Sequence, residues 1–120
     1  MSRPAPVPLS LLRASADVEY LGDERAVHPG DPRRERRYLV YRAALADRAA
    51  PLLAETDQGR SGQDAEDTAR RLLEHDRAHG TGSGPVPAAD ARWDSDARGY
   101  ARQEHAAAVR DEHDQEHVRT

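Results

Sequence analysis

The stretch DPRRERRYLVYRAALADRAAPLLAET, residues 31–56, decides the fold class. Asp31 offers an acceptor side chain at the N-cap and Pro32 a pre-set φ at the first helical position, which together mark a helix start. From there Tyr38, Tyr41, Leu45, Ala49 and Leu52 recur at steps of three and four and fall on one helical face, with Leu39, Arg42, Ala46 and Leu53 along its edge. Arg33, Arg36, Arg37, Ala43, Asp47, Ala50 and Glu55 lie opposite. Pro51 lacks the amide donor for the carbonyl four residues back, so the spacing predicts a strong helix from Pro32 to Ala50 and a shorter continuation to residue 56.

Outside this stretch large apolar side chains are scarce. The 120-residue chain has no Phe, no Cys, one Met and one Trp, and much of its 37% hydrophobic content is alanine. That length admits one small domain. The low apolar content places it where buried area only just offsets a backbone entropy cost of roughly 1–2 kcal/mol per residue, so a protein partner or self-association is expected to complete the fold. All eighteen basic residues are Arg, and Lys, Asn, Ile and Phe are absent, as a GC-rich coding sequence dictates. Arginine content is therefore a weak sign of nucleic-acid binding. The lack of Cys excludes disulfides, thiolate metal ligation and a Cys nucleophile. No apolar run approaches the roughly 20 residues of a membrane span, and the Leu9–Leu12 cluster follows prolines rather than a charged signal-peptide start, so the expectation is a cytoplasmic protein without membrane association.

Residues 1–16, with Pro4, Pro6 and Pro8, read as an extended, flexible leader. Val18, Tyr20 and Val27 around Gly22-Asp23 fit a small hairpin over residues 17–30, ending in the turn His28-Pro29-Gly30. Ser61 and Asp64 approximate a capping box, predicting a second helix over 63–79 stopped by Gly80. Its apolar stripe is Ala65, Ala69, Leu72 and Leu73, and residues 17–79 together form the expected helical core. The Gly/Ser/Pro segment 80–87 reads as a linker, and 88–120 as an acidic C-terminal helix with Trp93, Ala97, Tyr100, Ala107 and Ala108 near one face and mobile last turns. The expected architecture is mainly all-α, a small domain of about three helices with mobile termini.

Three groups of residues carry candidate chemistry. Arg33, Arg34, Arg36 and Arg37 crowd the first turns of the central helix, where each exposed cation opposes the macrodipole by about 0.3–1 kcal/mol. An anionic neighbour is expected to offset them. It is either a phosphate backbone, with Tyr38 and Tyr41 beside it, or the chain's own acidic half. Residues 31–60 hold seven Arg against five acids and residues 61–120 eight against thirteen, and the net charge is −4, which favours the internal answer over nucleic acid. No zinc-finger spacing or aromatic RNA-binding box is present.

The second group is a repeat, E-H-D-x-x-H, at Glu74–His79 and Glu112–His117. A four-residue step places His75 with His79, and His113 with His117, on one helix face, which is ligand spacing for zinc. Each copy resembles the H-E-x-x-H motif of the zincin metallopeptidases over five residues, with Asp76 or Asp114 where that family has its general-base Glu. That resemblance implies a zinc between the paired imidazoles, but His113 and His117 fall on the face opposite Trp93 and Tyr100, so exposed histidines without a cofactor are the stronger expectation.

The third group is the apolar face itself, Tyr38, Tyr41, Leu45 and Leu52, expected to form the core or a partner-binding surface. No Ser lies in a G-x-S-x-G turn, and Gly80-Thr81-Gly82-Ser83-Gly84 lacks the Lys and preceding strand of a phosphate loop. These residues favour a non-enzymatic protein–protein interaction or regulatory protein. A DNA-associated regulator using Arg33–Arg37 is the alternative, and a His-based metal-binding protein the third reading.

Overall fold

The computed structural model describes residues 7–52 and 58–118, with the side chains of 58, 59 and 116–118 left aside. The fold is all-α: helices α1 (Leu9–Val27), α2 (Pro32–Ala49), α3 (Gln58–His79) and α4 (Ala97–Val118), with short 3₁₀ segments at Ala50–Leu52 and Ala91–Ser95 and no strand among the described residues. Helix α2 is the hub, packing on α1, α3 and α4, while α3 also packs on α4. No helix among the described residues is long and apolar enough to cross a membrane.

The start of α2 forms as its residues dictate. Asp31 accepts hydrogen bonds from the Arg33 and Arg34 amides, and Pro32 opens the first turn. Just before it, Gly30 adopts φ +88° and the Asp31 amide donates to the His28 carbonyl, closing the turn that Pro29-Gly30 encodes. Helix α3 stops where Gly80 takes φ +64° and the Thr81 amide bonds back to the Asp76 carbonyl, the six-to-one bond of a Schellman cap.

Four expectations are corrected. The hairpin over 17–30 and the extended leader are replaced by α1, which begins at Leu9 directly after Pro8. Leu, Ala, Arg and Glu dominate Leu9–Val27 and favour helix, and Gly22 is a contact point rather than a turn. A Cβ at Gly22 would stand 3.3 Å from the Tyr38 ring, so the missing side chain lets α1 approach α2, and the Arg25 guanidinium lies 4.0 Å above the same ring. Second, α3 begins at Gln58 rather than 63, so Ser61 is a buried interior residue and not a cap. Packing overrides the two glycines there, because Ala65 closes against Ala46 and Ala50.

Third, the core lies one face round from the predicted one. Val40, Ala43, Ala46 and Ala50 are buried while Tyr38, Tyr41 and Leu45 are half-buried and Leu52 is 56% exposed. A small-residue face lets α3 and α4 come close, whereas the bulky face of α2 is shared between α1 and the flank of α4. The main core joins Val40 and Ala43 to Leu72, Leu73, Trp93, Ala97 and Tyr100. Fourth, segment 80–87 is strapped down rather than a free linker, as described below, and the C-terminal region opens with the 3₁₀ turn before α4. Residues 53–56 of the predicted helix, residues 1–6 of the leader and residues 119–120 lie outside the described residues.

Candidate functional site: a charged hub inside and an open apolar face

Arg36, on the polar face of α2 in any helical projection, turns inward. Its Nε and Nη2 donate to the two Asp76 carboxylate oxygens at 2.9 and 3.0 Å, and Nη2 also donates to Glu104 at 2.6 Å. Asp76 on α3 and Glu104 on α4 are each 1% exposed, and Arg36 retains only 18% of its side-chain exposure. Buried carboxylates persist only when their acceptor capacity is filled. Asp76 further accepts from the Tyr100 hydroxyl and from Thr81 Oγ1 at 2.6 Å. Glu104 accepts the backbone amides of Ser83 at 2.6 Å and Gly84 at 2.9 Å. Among the described residues no buried side-chain nitrogen or oxygen lacks a partner.

This hub straps segment 80–90 to the bundle. Gln103 clasps Val86 from both sides, its amide nitrogen 2.8 Å from the carbonyl and its oxygen 3.2 Å from the amide. Trp93 Nε1 donates to the Pro87 carbonyl, and Arg77 Nε to that of Ala88. Gly82 takes φ +149° where a Cβ would meet the Tyr100 hydroxyl at 3.2 Å, so glycine there satisfies both backbone and packing.

Chemically, Asp76, Tyr100 and Arg36 in the hub are each held in one protonation state. Burial raises the Asp76 pKa, but the hydrogen bonds from Arg36, Thr81 and Tyr100 outweigh it and hold the carboxyl below its ordinary range. Burial and the Asp76 charge push the Tyr100 phenol upward, and despite desolvation the paired carboxylates push the Arg36 guanidinium upward. None of these three is poised to trade protons near neutrality.

Two of the remaining three arginines of the cluster also meet carboxylates of the chain. Arg37 donates to Glu112 at 2.8 Å, an oxygen shared with the Tyr41 hydroxyl, and Arg34 pairs with Asp31 and with Glu24 at 3.5 Å. Arg33 makes no ion pair among the described residues. Asp47 clamps α2 to α4 through Arg98 at 2.7 Å and Arg102 at 2.9 Å.

His75 and His79 do come together, stacked with ring centroids 4.3 Å apart and planes 25° from parallel. Stacked rings direct their in-plane lone pairs side by side rather than toward one point, and the His79 Nδ1 is 2.8 Å from the His75 carbonyl, to which it donates. Among the described residues no group of three His, Asp or Glu side chains is placed to hold a metal ion. His113 stands on α4, and the His117 side chain lies outside the described residues. A cleft of about 550 Å³ between α2 and α3 is lined by Arg25, Tyr38, Arg42, Arg71 and His75 but also by Glu35, Asp64, Asp67 and Glu74. Arg42 is tied to Asp64 and Arg25 to Glu35, so two of its three arginines are already paired.

The open surface is on α1, an element that sequence reasoning missed. Helix α1 buries Val18 and Leu21 against its neighbour, with Leu11 and Ala14 half-buried on the same side. On the opposite side Leu9 (66% exposed), Leu12 (53%), Tyr20 (63%) and Val27 (72%) are open to solvent, with Ala16 among them, and Leu9 and Tyr20 border grooves that run toward α2 and α4. Helix α1 therefore carries large apolar side chains on two opposite faces. The legible signal was the step pattern 9, 12, 16, 20, 27, masked by the prolines before it and by Gly22 within it. No family model, curated protein or solved structure matches this chain.

Proposed function

We propose that this protein is a small non-enzymatic helical interaction module, working in the cytoplasm, whose partner is a protein and whose contact surface is the outward face of α1. The observation that carries this reading is the exposure of Leu9, Leu12, Tyr20 and Val27 along one side of a helix whose other side is already packed. Covering a fully exposed leucine contributes about 1.5–3 kcal/mol, so leaving Leu9 and Leu12, 66% and 53% exposed, in water beside Tyr20 and Val27 costs part of that each unless they are covered in use. The polar chemistry inside supports the same reading, because the buried carboxylates are saturated with donors that fix the fold.

The test is the native mass of a tagged chain in extract of its own host, for wild type and for Leu12→Asp/Tyr20→Asp. The expected result is a wild-type complex that survives nuclease treatment and that the double variant fails to form. A wild-type chain running as a free monomer, or a complex dissolved by nuclease, would overturn the reading.

A further inference from the structure

We propose that the groove between α1, α2 and α4 binds a small amphipathic monocarboxylate, its carboxylate held by Arg13 and Arg48 and its apolar chain laid along Leu9 and Val109. The groove has a volume of about 460 Å³, within the range of a few hundred to roughly 1,000 Å³ that takes small-molecule ligands. Arg36 does not line it, and the site does not depend on the interaction surface proposed above.

The charges of the lining choose the ligand. Arg13 on α1 and Arg48 in the last turn of α2 enter the groove from different helices, and neither makes an ion pair or a hydrogen bond among the described residues. The carboxylates beside them are Glu112 and Asp17. Glu112 is already engaged, accepting from Arg37 at 2.8 Å and from the Tyr41 hydroxyl at 2.7 Å, whereas Asp17 is exposed and makes no ion pair among the described residues. Two uncommitted guanidinium groups against one uncommitted carboxylate leave a single positive charge, which a monoanion neutralises and a doubly charged phosphate overshoots. The planar fork of a guanidinium also matches the two oxygens of a carboxylate.

The rest of the lining supplies the apolar wall and a reporter. Leu9 from α1 and Val109 from α4 are 66% and 46% exposed, with Ala14 and the Tyr41 ring beside them, so an aliphatic chain lying there removes apolar surface from water on both sides. His105, half-buried on α4, stands edge-on to Tyr41 with ring centroids 5.3 Å apart and planes at 89°. Burial, and then the Arg48 charge, hold its imidazole below the ordinary histidine range, with Glu112 pulling the other way. A carboxylate seated on Arg48 would counter that charge, so the ligand and a proton on His105 should favour one another.

Octanoate is the probe, titrated into the purified full chain and followed by NMR. Resonances of the groove residues should shift and saturate with a dissociation constant on the order of 0.1 mM, as expected for a ligand of about ten heavy atoms in an open site. Acetate, which lacks the chain, and octylammonium, which reverses the charge, should each bind at least about tenfold more weakly. Arg13→Gln and Arg48→Gln should each weaken octanoate roughly tenfold. Arg71→Gln, at an exposed arginine outside the groove, should leave its affinity unchanged. Arg13 and Arg48 are exposed, so these variants report on binding and not on folding, which circular dichroism of each checks. In the same samples the titration midpoint of the His105 ring should move to higher pH when octanoate is saturating. No saturable shift below about 10 mM octanoate would overturn the proposal. So would acetate or octylammonium binding as tightly as octanoate, full affinity in either groove variant, or a His105 midpoint that ignores the ligand.

Discussion

Arg36 and Arg37 leave adjacent positions of α2 and meet opposite dielectric conditions. Arg36 sits between two carboxylates that are fully desolvated, whereas the Arg37–Glu112 pair keeps about half its exposure on each side. Removing one partner of a buried ionic cluster costs about 3–5 kcal/mol because the remaining charges stay buried without compensation, while an exposed pair contributes roughly 0–1 kcal/mol. Arg36→Leu should therefore lower the urea midpoint far more than Arg37→Leu, by a loss that is a large share of the 5–15 kcal/mol typical of a small domain. Equal midpoints for the two variants would show that the hub contributes no more than surface charge does. In sequence the two residues belong to one basic cluster, and a helical projection separates them by about 100°, yet nothing local says which of them turns inward. The decision is made by Asp76 and Glu104, which lie 40 and 68 residues away along the chain.

At the scale of elements, what was legible followed from signals contained within a few residues. Asp31-Pro32 starting α2, Pro29-Gly30 turning before it and Gly80 ending α3 are local backbone chemistry, and each forms as its residues dictate. What was not legible needed a partner distant in sequence. Leu9–Val27 looks like a leader and a hairpin because the prolines before it and Gly22 within it are read without α2, whose Tyr38 ring occupies the space Gly22 leaves. Segment 80–87 looks like a linker because Gly, Ser and Pro usually mark one, and only Glu104 and Gln103 on α4 turn it into a bound strap. Hydrogen exchange distinguishes the two states. The Ser83 and Gly84 amides should be protected to a degree approaching the α4 backbone, since a buried carboxylate accepts both, and Glu104→Gln should speed exchange at this pair by removing one charged acceptor. Exchange at the rate of an unstructured chain in the wild type would mean the strap does not hold in solution.

The charge distribution of the whole molecule is arranged so that its basic middle is answered by its acidic later half. Arg36 reaches α3 and α4, Arg37 reaches α4, Arg42 reaches Asp64 on α3, and Asp47 returns the exchange by accepting Arg98 and Arg102. These pairs run between helices, so they consume the cations that a helix start rich in arginine would otherwise offer to a phosphate backbone. A duplex binder releases counterions in proportion to the phosphates it neutralises, giving a slope of log K against log salt of about −0.9 per contact. Arg34, Arg36 and Arg37 are engaged internally and the net charge is −4, which leaves Arg33 as the cation of the cluster without an ion pair among the described residues. Titration of labelled random duplex DNA at two salt concentrations should show no binding tighter than about 10⁻⁴ M at physiological ionic strength. The informative variant is Arg33→Ala/Arg37→Ala, which leaves the buried Arg36 hub intact and so keeps folding out of the comparison. Micromolar affinity in the wild type that falls steeply with salt and weakens in that variant would mean that the ion pairs between helices open in favour of phosphate, and would make the DNA-associated alternative the better reading of the arginine cluster.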